Sequence, residues 1–159
     1  MYNIMFQLED KKEATSKYKF YKKDLHFLYS IADYVEIGAN REESIKNLIY
    51  NLSEFKDHFT INKSKDENGN TVYNSITFKN SFKKAYFYKK FNMIKDDVKR
   101  LSLRDCNNAN NLDILTDDKS GYYIFNNKNL WHTLDGFIRG MSNDKDITYY
   151  FGSTMNYRC

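Results

Sequence analysis

Among the side chains able to do chemistry in this 159-residue chain, His132 and Asp135 come closest to a catalytic arrangement. On a helix the carboxylate would lie one turn beyond the imidazole and could orient its ring for proton transfer. No nucleophile accompanies them, because G-x-S-x-G and related elbows are absent. His26 and His58 stand on or at the end of expected helices, where a histidine is more often a cap or half buried than a base. Asp113, Asp117 and Asp118 in DILTDDKSG offer oxygen ligands. Their spacing lacks the alternate-position oxygens and closing glutamate of a calcium loop, so a turn accounts for them better. Cys106 has Arg104 nearby but no base in its Asn-rich surroundings and reads as a plain thiol. The six glycines are scattered, with none in G-x-x-x-x-G-K or G-x-G-x-x-G. These residues predict no enzyme, no cofactor and no metal.

Binding chemistry is more concentrated. Residues 81–105, SFKKAYFYKKFNMIKDDVKRLSLRD, carry eight Lys/Arg and three Asp/Glu, 8 − 3 = +5, while the other residues balance at 17 − 18 = −1. Clustered cations sum their fields and attract polyanions or acidic protein surfaces. The candidate partner-binding residues are Lys83, Lys84, Tyr86, Tyr88, Lys89, Lys90, Met93, Arg100 and Arg104. At 100° per residue, Phe87, Phe91, Ile94, Val98 and Leu101 form one stripe, expected to face the core. Lys89, Met93, Asp96, Arg100 and Arg104 fall opposite, toward solvent. Asp96 and Asp97 interrupt the cationic surface, and no helix-turn-helix or RNP motif is present, so docking on an acidic protein surface is the first reading. Direct contact with nucleic-acid phosphates is the alternative, and ordinary solvation of a charged helix is the bland one.

The elements that must position this helix follow from periodicity. Residues 2–8, YNIMFQL, predict an opening strand. Ala14, Tyr18, Tyr21, Leu25, Leu28, Ala32 and Val35 alternate spacings of four and three and predict a long amphipathic helix, with Gly38 as its C-terminal cap. Asn40 with Glu43 predicts the N-cap of a second helix from about Arg41, burying Ile45, Leu48, Ile49, Leu52 and Phe55 and ending near His58. Asp66, Asn68, Gly69 and Asn70 stand between two alternating runs and predict a β-hairpin. CNNANN, residues 106–111, predicts a loop. A short strand over Leu112–Leu115, a better one at Tyr122–Phe125, a helix over Leu130–Met141 and a closing strand or hairpin over residues 147–151 and the tail complete the layout. This is an α+β fold, one compact domain over residues 1–159, with about four helices and a small antiparallel sheet.

Fourteen Tyr and 12 Phe supply the means to bury a core, so disorder is excluded. Two cysteines make no disulfide framework, no secretory leader opens the chain, and no run of about 18 apolar residues could span a bilayer. A bacterial host cytoplasm is the expected location. Proline is absent, and the Lys-, Asn- and Tyr-rich composition matches AT-rich coding. Together with the motif-free basic aromatic helix, this resembles small proteins of phages and prophages, and among them is similar to the anti-CRISPR proteins that inhibit Cas9-type nucleases. The resemblance lies in composition and organisation over the whole chain and carries over no residue. It implies stoichiometric binding to an effector nuclease protein, alone or with its nucleic acid, that prevents cleavage. A net charge of +4 argues against imitation of DNA, which would require an acidic surface.

Overall fold

The computed structural model describes residues 2–17, 34–37, 40–102, 121–126 and 132–158. Its elements are β1 (Tyr2–Glu9), α1 (Lys12–Lys17), β2 (Tyr34–Ile37), α2 (Arg41–Asn51), a 3-10 segment (Ser53–His58), β3 (Phe59–Lys65) and β4 (Thr71–Phe78). They continue with α3 (Phe82–Arg100), β5 (Tyr122–Phe125), β6 (His132–Thr133), α4 (Leu134–Gly140) and β7 (Ile147–Arg158). The fold is α+β, as the element pattern implied. The sheet is larger than expected and mixed. Its order is β3-β4-β7-β1-β5-β6, with β2 also on β7, and β1 runs parallel to β5. Both parities of β1 are buried, Phe6 and Leu8 on one face and Met5 on the other. Such two-sided burial suits a strand with a parallel neighbour.

β7 is the spine. One edge pairs with β1 along most of its length, whereas the other pairs first with β4, at Ile147 to Tyr150, and then with β2, at Met155 to Arg158. Between Phe151 and Thr154 the ladder with β1 slips, so that Gly152 and Ser153 both oppose Gln7. This two-against-one bulge inverts the side-chain alternation. Before it, Tyr149 and Phe151 face the main core of Phe6, Leu8, Ile45, Leu48, Phe82 and Ile138. After it, Met155 and Tyr157 join Met5 and Phe125 on the opposite face.

Polar side chains close the bulge. Buried Gln7 accepts the Ser153 N–H at 3.0 Å and donates to Glu9 Oε1 at 3.1 Å. On the other edge, where β4 and β7 part, Arg41 donates to Gly152 O at 2.7 Å, Phe151 O at 3.0 Å and Tyr73 O at 3.1 Å. Glu42 pairs with Arg41 and accepts the Tyr73 N–H at 2.8 Å. The start of α2 thus supplies the hydrogen bonds that a neighbouring strand would otherwise give.

Several expectations are corrected. Val35 is not on a helix but in β2, opposite Tyr157, because β7 beyond the bulge offers an unpaired edge to a β-branched segment. Ala14 is helical and buried in α1; residues 18–33 and Gly38 lie outside the described residues. Asn40 does not cap with its side chain: it adopts φ 53°, ψ 36°, which asparagine tolerates, and its carbonyl accepts the Ser44 N–H at 2.8 Å. The last helix begins at Leu134, four residues later than expected, because His132 and Thr133 pair with β5 and the Thr133 hydroxyl caps Gly136 N–H. The loop over 106–111 and the strand over Leu112–Leu115 lie outside the described residues. The hairpin forms where expected. Among the described residues, no helix is long and apolar enough to cross a membrane.

Two outcomes test this frame. A Cβ at Gly152 would overlap the Gln7 side-chain amide and lie 2.9 Å from its Cγ. Gly152→Ala should therefore destabilise by about 1–3 kcal/mol in urea unfolding, with partial recovery in Gly152→Ala/Gln7→Ala. In the hairpin turn, the Asn70 side chain, then the Asn70 and Asn68 N–H groups, donate to Asp66 and hold its carboxyl below the usual 3.8. That contribution is complete above 3.8 and is lost as pH falls below it. The Asn68 and Asn70 amide resonances should titrate together only below that pH.

Candidate functional site

Helix α3 is anchored at one end. The 3-10 segment and β3–β4 build an aromatic nest that receives Phe82, which is fully buried. The ring centroids of Phe78, Phe55 and Phe59 lie 4.4, 5.8 and 6.3 Å from that of Phe82, and Tyr86 stacks at 6.0 Å. Burying one such phenylalanine contributes about 2–3 kcal/mol. His58 Nδ1 lies 2.8 Å from the Oγ of Ser81, the residue preceding the helix, so this histidine is tied to the helix start.

Four polar side chains of the first three turns are used internally. Tyr86 Oη donates to Asp135 Oδ1 at 2.6 Å, and Lys90 pairs with the same carboxylate, which is 4% exposed. Lys83 Nζ donates to Met141 O at 2.9 Å. Lys89 pairs with Glu54 and lies 5.8 Å over the Phe55 ring. Asp135, the residue expected to orient His132, therefore serves as an anchor for α3. His132 itself is half buried in β6.

The stripe expected to face the core does not do so. Phe87 packs at the core's margin with Arg139 6.0 Å above its ring. Phe91 is 62% exposed and Val98 49%, with Ile94 between them half buried. The helix is turned by roughly 130° at 100° per residue from the expected orientation, because Phe82 and Tyr86 form a second apolar face that the nest prefers. Lys89, expected in solvent, accordingly faces the 3-10 segment. Tyr88 at 67% and Met93 at 57% are exposed, as are Lys84 and Arg100. Arg104 lies outside the described residues.

The nine expected binding residues thus divide. Lys83, Tyr86, Lys89 and Lys90 hold the helix on the body, while Tyr88, Lys84, Met93 and Arg100 are exposed. Phe91 and Val98 were not among them. Their signal was the i, i+4 pair Phe82 and Tyr86, which competes with the longer stripe for the core. An open groove lined by Asn80, Ser81, Lys83, Lys84, Phe87 and Asn143 runs beside the helix start. Among the described residues no three His, Cys, Asp or Glu side chains come together as metal ligands. His26, Cys106, Asp113, Asp117, Asp118 and Trp131 lie outside them.

Compared with protein-family models, curated proteins and solved structures, the chain matches none.

The two classes of residue separate by measurement. Lys90→Met removes a cation that pairs with the buried Asp135 carboxylate and should cost about 3 kcal/mol in urea unfolding. Tyr88→Ala and Met93→Ala should change stability by no more than about 0.5 kcal/mol.

Proposed function

We propose that this protein is a non-enzymatic inhibitor that docks the outward face of α3 on a partner protein. The resemblance to anti-CRISPR proteins makes the partner a nucleic-acid-processing effector of the Cas9 class, whose DNA cleavage the docked protein blocks. One observation carries the docking reading: Phe91 and Val98, 62% and 49% exposed, lie on one face of the helix with half-buried Ile94 between them, and Tyr88, 67% exposed, borders that face. Solvated helices seldom display such a cluster, and exposed apolar patches mark interaction surfaces. Aromatic and methionine side chains are also those that interfaces concentrate.

Charge favours protein over phosphate. Lys83, Lys89 and Lys90 are already bonded to protein groups, and Lys99 lies 3.3 Å from Asp96. Lys84 and Lys95 are exposed on one side of the helix but about three turns apart, and Arg100 lies on another side, so they form no continuous track along which a backbone could run.

The test is inhibition of DNA cleavage by a Cas9-type nuclease–guide complex, with capture of that complex by the tagged protein. Phe91→Glu/Val98→Glu should reduce both by about tenfold or more. Its unfolding midpoint should stay near wild type, since both side chains already face water. Undiminished inhibition by this variant would sink the assignment of the surface. A salt-sensitive gel shift with free DNA or RNA that the variant retains would transfer it to nucleic acid.

A further inference from the structure

We infer that the surface docking on α3 is itself an α-helix of the partner, amphipathic at heptad spacing and carboxylate-rich beside its apolar seam. The inference rests on the docking role proposed for α3 and adds what kind of surface completes it.

Spacing is the first argument. Phe87, Phe91, Ile94 and Val98 follow intervals of four, three and four, the d-a-d-a pattern of a coiled-coil seam. Over eleven residues the seam runs about 16 Å, an average of about 5 Å between successive apolar positions. An extended peptide places same-face side chains about 6.6 Å apart and would slip out of step by about 4 Å over the same three intervals. A helix repeating every 3.5 residues keeps step along the whole length. The seam also begins at the core, with Phe87 packed beside Tyr86 at 5.4 Å between centroids, and leaves it at Phe91. A helix laid there would continue a hydrophobic layer the protein has already started.

Charge is the second argument. Exposed Lys95 flanks the seam on the side of Tyr88, exposed Lys84 stands in line with Phe91 one heptad earlier, and the flank position Lys90 is also cationic although paired with Asp135. Asp97 is the acidic residue at a flank position, and Asp96 lies on the outer side beside Lys99. Residues 82–100 carry seven Lys/Arg and two Asp, 7 − 2 = +5, and with Lys89 and Lys90 offset by Glu54 and Asp135 of the body the helix keeps 5 − 2 = +3. A second copy of α3 would bring the same excess against it, whereas flanking glutamates would meet Lys95 and Lys84 with opposite charge.

The probes are two synthetic peptides of about three heptads with leucine at a and d, one with glutamate and one with lysine at e and g. Fluorescence anisotropy with labelled peptides and the whole protein should show binding of the glutamate peptide, weakened at least about tenfold by Phe91→Glu/Val98→Glu and by raised salt. Equal binding of the lysine peptide would overturn the charge argument. No binding of either peptide, with nuclease capture still abolished by Phe91→Glu/Val98→Glu, would overturn the helical occupant while leaving the docking role intact. A wild-type dimer in sedimentation velocity that this variant dissolves would assign the seam to a second copy and also overturn it. Peptide binding without nuclease capture would uphold the helical occupant and reject the nuclease as the partner.

Discussion

The two-against-one bulge at Gly152–Ser153 is the constraint on which the sheet depends. A regular β7 would carry Met155 and Tyr157 on the same face as Phe151, into the main core and away from Met5 and Phe125. One extra residue sends them to the opposite face, so one strand serves two hydrophobic layers. The cost is a stretch of backbone with no strand partner among the described residues between the β4 and β2 pairings. Arg41 answers it from one edge and Gln7 from the other. Charged donors to carbonyls contribute about 1.5–3 kcal/mol each, so Arg41 bridging three of them outweighs an exposed surface pair several-fold. The same contacts fix where α2 starts, and α2 leads directly into the 3-10 segment that receives α3.

Local signals were legible wherever chemistry was local. The Asp66–Asn70 turn combines asparagine, glycine and an Asx hydrogen-bond acceptor between alternating runs, and the hairpin followed from them. The run from Ile147 likewise announced a strand, although nothing in it marked the bulge except a glycine, since the clash that demands Gly152 comes from Gln7 some 145 residues away. The reversal at Val35 has the same origin. A 3.5-residue repeat and a β-branched residue are compatible in sequence, and the open edge of β7 decided between them.

The orientation of α3 shows what periodicity leaves undetermined. Two apolar faces are written on this helix, Phe82 with Tyr86 and Phe87 with Phe91, Ile94 and Val98. Hydropathy ranks the longer face first, but burial depends on the shape of the receiving surface, and the nest of Phe55, Phe59 and Phe78 accepts the shorter one. The lysines obey the same rule. A cation counted as surface charge becomes a fastening once a buried carboxylate such as Asp135 lies beneath it. The basic character seen in composition is therefore partly spent inside the fold, and the exposed remainder is apolar as much as it is positive.

The pairing of β1 with β7 also carries a kinetic consequence. Tyr2 opposes Arg158, and the central strand that holds β1, β2 and β4 together is the last described element of the chain. The β3–β4 hairpin and α2 can organise early from near neighbours, but the sheet cannot close until β7 has emerged and the longest loop has been entropically closed. Until then β1, apolar along its Phe6 and Leu8 face, lacks its longest pairing. The sheet of such a protein closes late in folding, and an apolar strand such as β1 is open to wrong pairings until it does.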